Sequence, residues 1–268
     1  MPALADFLIV AGAAVAAAAL TLISGFGLGT LLMPVFAIVL GDVAVAIGAT
    51  AVVHLANSLF RLLLVGRDAD RGVVGRFGIP AIAGAFVGAL AMAWLGEARA
   101  LASYEVGPVD GRVTVVKLVV GVLIVAFALI EGSRRVEQAL GGRIGLTAGG
   151  AISGFFGGLS GHQGALRSVV LVKLGLDRDA YIGTSAACAA LVDVTRLGVY
   201  FAGAALFTKD FGAAAEGNWW LIGAGCVAAF AGSAIGSRLV KKMTLSTVRA
   251  IVAALLLLTG VAMIAGVI

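Results

Sequence analysis

The chain has 268 residues, of which 61% are apolar and 12% charged, with 39 glycines, 4 prolines and a net charge of +5. Soluble globular domains contain about 25% charged residues, so this composition excludes an ordinary soluble fold and indicates a membrane protein that crosses the bilayer several times. The basic surplus does not indicate nucleic-acid binding, since it falls in short loops between apolar runs, where it sets the topology.

Apolar runs that match the bilayer, whose hydrocarbon core is about 30 Å thick, follow one another along the chain. Single crossings are predicted at residues 42–65, 73–96, 113–132, 178–206, 218–238 and 246–267. Two further runs, 4–40 and 144–175, are too long for one crossing, so each should break or double back. Counting each long run as a hairpin of two arms predicts ten membrane segments.

Glycines indicate where the two long runs break. The first stretch, residues 24–29, contains Ser24, Gly25 and Gly27, and the second is the glycine-rich stretch 157–164. Glycine lacks the Cβ atom that penalises non-helical backbone, and free backbone groups at membrane depth are tolerated only beside protein or a wet cavity. Glycine-interrupted segments at matching places in two halves are a sequence pointer to a transporter binding site.

The basic residues of the loops predict the orientation of the chain, because their excess marks the cytoplasmic face. The loops expected inside are 67–76, 134–143 and 238–249, and those expected outside are 97–112 and 207–218. This alternation requires the long run 144–175 to be a two-armed hairpin. If 4–40 behaves likewise, both termini lie outside, in the periplasm of a bacterium, and the two halves have opposite orientations.

Short motifs recur in the two halves. Residues 47–50 (IGAT) parallel residues 182–185 (IGTS), and Arg61 parallels Arg196, both at a spacing of 135 residues. The predicted fold is therefore an all-α polytopic membrane protein of two inverted-topology repeats, residues 1–133 and 134–268. Each repeat is a broken or re-entrant helical hairpin followed by three transmembrane helices.

The second break carries polar side chains that lipid would reject. His162, Gln163 and Arg167 lie close together there, and a half-helix that begins at the break would add N–H groups and a positive dipole. Such a set predicts a site for the oxygen pair of a sulfonate, sulfite or carboxylate, with helix-end packing of Arg167 as the alternative. The predicted binding residues at the two breaks also include Gly161, Gly164, Ser168, Ser24, Gly25 and Gly27.

The helix after the first break carries a polar stripe. His54, Asn57, Ser58 and Arg61 recur at i, i+3, i+4 and i+7, which places them on one helical face. They are predicted to line the opposite wall of the binding site, although Arg61 alternatively reaches the membrane interface.

In the second half, Asp193 and Arg196 occupy the corresponding region and are predicted to neutralise each other as structural or coupling groups. His54 and His162 have side chains that titrate near neutral pH. Each is a candidate to carry a proton with the substrate, or a hydrogen-bonded packing residue.

Enzymatic and cofactor motifs are missing from the sequence. Cys188 and Cys226 have no CxxC spacing, so neither a metal site nor a disulfide is predicted. The sequence has no Walker A motif and no GxSxG elbow. We expect no catalytic residues, no metal and no cofactor.

The two glycine breaks, the first of them ending in Met33-Pro34, the triplet Gly183-Thr184-Ser185 and the four-plus-four span pattern resemble the TauE/SafE family of sulfite and organosulfonate exporters. The resemblance implies a secondary transporter that exports sulfite or sulfonates such as sulfoacetate across the bacterial inner membrane by alternating access. Its expected partners are a small anion and the lipid bilayer, with no nucleic acid; a homodimer is left open.

The second repeat departs from the family pattern. The family's triple glycine and following proline appear here as Gly161-His162-Gln163 and Ser168. This difference implies a sub-type with its own anion preference. Two other functions stay open: an anion channel, and an intramembrane enzyme that uses His162 with Ser160 or Ser168.

Overall fold

The computed structural model describes residues 2–24, 28–96, 100–106, 109–133, 139, 143–206, 217–239 and 245–268. Its helices are α1 (Leu4–Ser24), α2 (Leu28–Leu40), α3 (Val43–Val65), α4 (Arg71–Val73), α5 (Ile79–Gly96), α6 (Val115–Gly132), α7 (Leu146–Ser160), α8 (Gly164–Leu171), α9 (Arg178–Leu206), α10 (Trp219–Leu239) and α11 (Leu245–Ile264). A π-helical turn, Val74–Gly78, joins α4 to α5.

Within the described ranges, five helical segments are long and apolar enough to cross a membrane. They are α1, α3, the continuous segment of α4 and α5, α9 and α10. Helices α2, α6 and α11 are apolar but shorter. The fold is therefore mostly helical and compatible with a polytopic membrane protein.

The second long apolar run is interrupted where its glycines predict it, whereas residues 25–27 of the first predicted break lie outside the described part of the chain. Helix α1 ends at Ser24 and α2 begins at Leu28, with residues 25–27 outside the described part. Helix α7 continues to Ser160, and Gly161 then adopts a left-handed conformation with φ of +83°. Because only glycine adopts this conformation without strain, Gly161 ends α7 and lets α8 start at Gly164.

The all-α prediction is wrong in one region. The sequence predicts a loop at 97–112, whereas β1 (Ala100–Val106) and β2 (Val109–Thr114) form an antiparallel hairpin. Tyr104 and the valines of this segment favour extended backbone. The end of the chain lies on the hairpin, where Arg112 N–H donates to the Gly266 carbonyl at 2.9 Å.

Helices of the first half pack mainly against helices of the second. The main pairs are α1 with α10, α5 with α7, α6 with α11, and α3 with α9. Each half therefore buries much of its surface only in the presence of the other.

Two of these pairs run in the same direction. On α10, Gly225 lies near Val10 and Gly232 lies near Val15, so α10 is parallel to α1. Helix α7 is likewise parallel to α5, since Gly150 and Gly154 meet Phe77 and Ala81 in the same order. A Cβ atom on Gly154 would lie 2.0 Å from the Ala81 carbonyl oxygen, so glycine is what allows the two backbones to approach.

The other two pairs are antiparallel. His54 contacts Asp193, while Val65, one end of α3, lies beside Gly183 near the start of α9. On α6, Gly121 lies beside Ile264 and Gly132 beside Ala253 of α11. Helices α3 and α9 thus cross the centre of the fold in opposite directions and place their polar residues side by side.

Candidate anion-binding site

The two breaks meet at the centre of the fold. A Cβ atom on Gly29, in the first turn of α2, would lie 3.2 Å from the Gly161 carbonyl oxygen and 3.4 Å from the His54 ring. Of the residues predicted at the first break, Gly25 and Gly27 lie outside the described part of the chain, as does the side chain of Ser24. The meeting of the breaks makes this region the natural place to look for a site.

Gln163 holds the second break together. It precedes the first residue of α8, and its backbone carbonyl accepts a hydrogen bond from Ser153 Oγ at 2.9 Å. Its amide nitrogen donates to Asp193 Oδ1 at 3.0 Å, and its amide oxygen accepts from Arg167 Nη1 at 2.9 Å. The amide group therefore links a buried carboxylate to a buried guanidinium.

Arg167 lies at the end of the first turn of α8 and is 2% exposed. Its Nε donates to Ser185 Oγ at 2.9 Å, and its Nη1 donates to Gln163. Among the described residues, no carboxylate lies within ion-pair distance of this guanidinium. A guanidinium has five N–H donors and costs free energy when it is buried without a counter-charge, so Arg167 is suited to receive an anion.

Asp193 is fully buried and binds three side chains. His54 Nδ1 lies 2.5 Å from Oδ2, while Gln163 Nε2 and Arg196 Nε each donate to Oδ1 at 3.0 Å. Arg196 Nη2 is also 2.8 Å from Oδ1, so the ion pair predicted from the i, i+3 spacing is present. This carboxylate ties α3, the second break and α9 to one another.

His162 is buried on a different side of the break. Its ring is parallel to that of Phe127 at a centroid distance of 5.8 Å, and its Nδ1 lies 3.0 Å from Ser160 Oγ. Ser160 Oγ is also within hydrogen-bond distance of the Phe156 carbonyl; when it donates its proton there, the proton shared with His162 belongs to Nδ1. In the neutral ring Nε2 is then an acceptor, and this buried atom has no partner in the described structure.

The polar stripe of α3 is shared among three environments. His54 binds Asp193, and Asn57 Oδ1 accepts from Ser233 Oγ of α10 at 2.7 Å. Ser58 and Arg61 are buried, and Arg61 lines a cavity of about 230 Å³. The place of the four residues in the wall of the binding site stays a prediction.

The buried charge of the described region is positive. Its buried ionised side chains are Arg61, Arg167, Arg196 and Asp193, so three guanidinium groups face one carboxylate. This excess of positive charge inside an apolar bundle favours an anionic ligand over a cationic one.

Comparison with known proteins gives the family. The family model described as sulfite exporter TauE/SafE matches residues 10–263. The chain belongs to the TauE/SafE family. No curated protein and no solved structure matches it. Family membership, together with the five apolar helices, makes the chain a multi-pass membrane protein of a family that exports sulfite and related sulfur anions.

Several residues near the breaks of this TauE/SafE protein do not follow from sequence reasoning. Ser153 orients Gln163, and Tyr181 Oη donates to Ser168 Oγ at 3.1 Å. Ser185, which the sequence already places among the polar residues of the second half, orients Arg167. Thr50 Oγ1 is buried and has no partner among the described residues, and its methyl group lies near Gly29. The spacing of 135 residues that relates Thr50 to Ser185 is the sequence signal for these two hydroxyls.

Proposed function

We propose that this TauE/SafE protein exports a small sulfur oxyanion, sulfite or a sulfonate such as sulfoacetate, and that the anion binds at Arg167. The observation that carries the proposal is a buried guanidinium without a carboxylate partner among the described residues, placed at the end of the first turn of a half-helix that starts at the break. The free N–H groups of the first turn of α8 carry partial positive charge. The guanidinium and the positive end of the helix dipole both favour a negatively charged ligand.

The surroundings of Arg167 support binding of an anion with two or more oxygens. Gln163 and Ser185 fix the guanidinium plane, so little side-chain entropy is lost when a ligand binds. Sulfite and sulfonate groups present adjacent oxygens that accept parallel hydrogen bonds from a guanidinium. Gly161 and Gly164 leave backbone rather than side chains at the junction of the breaks.

The packing of the helices supports two inverted repeats, residues 1–133 and 134–268, as the basis of alternating access. Exchanging the two halves turns the pair α1–α10 into α7–α5, and both pairs are parallel. In the pairs α3–α9 and α6–α11, the two helices are each other's counterparts in the two halves. A two-fold axis in the membrane plane reverses the direction of a helix, so such counterparts should be antiparallel, as they are here. Inverted-repeat transporters bind substrate near the midplane, between the repeats.

The hydrogen bonds of His162 support proton coupling. An anion oxygen at the free Nε2 atom needs a donor, and the doubly protonated ring offers one while Nδ1 keeps its bond to Ser160. An anion that binds this form of His162 would take up one proton with it. Transport would then respond to a pH gradient.

The test is flux of labelled sulfite and sulfoacetate into vesicles that contain the purified protein. We expect Arg167→Gln to lower the initial rate at least ten-fold, because the buried cation that receives the anion is lost. Arg76→Gln removes an exposed positive charge outside the site and should transport normally. The rate should saturate with anion concentration and should change when a pH gradient is imposed.

Distinct results would contradict the separate parts of this proposal. Equal transport rates for the wild type and Arg167→Gln would contradict binding of the anion at Arg167. A rate that rises without saturation would indicate a channel. A rate that is the same with and without a pH gradient would exclude proton coupling.

A further inference from the structure

We propose a second anion site at Arg61. An external oxyanion would neutralise Arg61 there, as the Asp193 carboxylate neutralises Arg196 in the second half. The inference rests on the proposed function only in that the ligand is the same small oxyanion. It concerns a cavity at Arg61 that residues of α3, α9 and α10 line.

Arg61 and Arg196 are equivalent positions of the two halves. They lie 135 residues apart on α3 and α9, the helices that pair across the centre. The same spacing relates the N-terminal caps: Asp42 accepts from Val45 N–H, and Asp177 accepts from Ala180 N–H, each at 2.9 Å. Helices α3 and α9 therefore start in the same way and carry an arginine at the same position.

The two arginines differ in what neutralises them. Asp193, three residues before Arg196, forms its ion pair. The residue three positions before Arg61 is Ser58, so the first half lacks the corresponding carboxylate. Among the described residues, no acidic side chain lies within ion-pair distance of Arg61.

The environment of Arg61 has room for the missing anion. The side chain is 6% exposed, and its Nε has no hydrogen-bond partner within the described ranges. It lines a cavity of about 230 Å³ whose other walls are Leu64, Val65, Arg178, Asp179, Ile182, Ser233 and Ala234. A water molecule takes up about 30 Å³ in the liquid, so a sulfonate or carboxylate of a few heavy atoms fits. Arg178 and Asp179, both exposed at the rim, carry opposite charges, so the buried guanidinium of Arg61 sets the positive charge of the cavity.

The position of the cavity gives the site a role. Ile182 on the cavity wall lies three residues, or about one helical turn, before Ser185, whose hydroxyl accepts from Arg167 Nε. An anion beside Ile182 would therefore stand about one helical turn from the residue that orients the central guanidinium. We infer that Arg61 receives the anion between the cavity mouth and Arg167.

The decisive variant is Ser58→Asp, which adds the carboxylate that the second half already has. It is made in an Arg167→Gln protein so that the central site does not contribute. The measurement is the rise in melting temperature of the detergent-purified protein with sulfoacetate, against chloride at equal ionic strength, since a ligand that binds only the folded state stabilises it.

We expect the Arg167→Gln protein to keep a sulfoacetate-dependent rise, and Ser58→Asp to weaken apparent binding at least ten-fold because its own carboxylate occupies Arg61. Ser58→Asn has similar bulk without the charge and should keep a measurable rise. Arg61→Gln should remove it. The second site would be overturned if apparent binding in Ser58→Asp were as tight as in Ser58→Asn, if the rise persisted in Arg61→Gln, or if it were absent from Arg167→Gln itself.

A labelling experiment covers the case in which Ser58→Asp does not fold. Ala234→Cys places a thiol on the cavity wall of a protein that also carries Cys226→Ala. Sulfoacetate should slow its reaction with a maleimide, and Arg61→Gln should abolish this protection; equal rates with and without the anion contradict the proposal. If anion binding depends on Arg61 but the vesicles show no flux, the second site is supported and the proposed transport function is contradicted. Normal flux without protection of the thiol would support transport and contradict the second site.

Discussion

Asp193 shows how a membrane interior retains an ionised carboxylate. Each of its oxygens binds at least one donor, and the donors come from α3, the second break and α9. A buried ion pair adds little net stability compared with apolar packing, but loss of one partner leaves the other charge uncompensated. Removal of the Asp193 carboxylate should therefore destabilise the protein, because Arg196 would stay buried without its counter-charge.

Asp193→Asn should lower the stability of the protein by about 3–5 kcal/mol, the usual cost of breaking a buried pair from one side. The change keeps the shape of the side chain but leaves Arg196, which is fully buried, without its counter-charge. The measurement is the melting temperature in detergent. Asp179→Asn, which alters an exposed acid at the start of the same helix, serves as the control.

A second substitution separates charge from shape in this prediction. Adding Arg196→Gln to Asp193→Asn removes the orphaned charge and should recover part of the lost melting temperature. If the double variant is less stable than Asp193→Asn, the carboxylate is not there to neutralise Arg196.

At the residue scale, the sequence predicts contacts along one helix better than contacts between helices. The Asp193–Arg196 pair follows from a spacing of three residues. The His54–Asp193 contact joins residues 139 apart, and no local pattern relates them. The orientation of His162 toward Phe127 is also unpredictable from sequence, because the glycine break allows the ring to point to either side.

At the scale of the helices, glycine position decides which apolar surfaces pack. Several helices are apolar around their whole circumference, so hydropathy alone does not choose a partner for them. Small residues do so, because they let two backbones approach in lipid. The breaks follow from glycine content, but the pair α1–α10 does not, since glycines of α10 face both lipid and protein.

Two glycines of α10 test this argument within one helix. A Cβ atom at Gly232 would lie 2.4 Å from the Val15 carbonyl oxygen of α1, whereas one at Gly223 would meet nothing within 4 Å. Gly232→Ala should therefore separate α10 from α1 and lower the melting temperature by several degrees. Gly223→Ala should leave it unchanged or raise it, because alanine is favoured over glycine in a helix by about 1 kcal/mol.

The difference in melting temperature between Gly232→Ala and Gly223→Ala measures how much close backbone approach stabilises the α1–α10 pair. Equal effects on the melting temperature would mean that close backbone approach at Gly232 does not stabilise the α1–α10 pair.

At the scale of the whole molecule, the two halves are interleaved rather than adjacent. Each of the pairs α1–α10 and α5–α7 takes one helix from each half, so neither half keeps its core alone. A transporter built this way can change the relation between its halves only by sliding or rocking helices within these shared pairs. The breaks are suited to such movement, since they interrupt the backbone where α3 and α9 cross.

The hairpin of β1 and β2 was the least predictable part of the molecule. It is short, lies outside the apolar runs and owes its position to the chain end, whose Ala265 carbonyl accepts a hydrogen bond from Tyr104 Oη. Contacts between such distant residues leave no trace in local hydropathy. The hairpin nevertheless marks one face of the molecule, because the start of α3 lines a cavity with Arg112.

That face should be the outer one, and the opposite end of α3 the inner one. Exposed Arg67 follows the end of α3 in a loop rich in arginine, and such loops stay in the cytoplasm. Single cysteines are introduced as Ser103→Cys on the hairpin and Arg67→Cys, with Cys188→Ala and Cys226→Ala to remove the native thiols. In intact cells, an impermeant maleimide should label the first variant and label the second only after permeabilisation.

Labelling of both from the same side would contradict the crossing of α3, whereas the reverse pattern would keep the fold but invert its orientation in the membrane. In that inverted case, the cavity at Arg61 would open to the outside and would receive the anion on leaving the protein rather than on entering it.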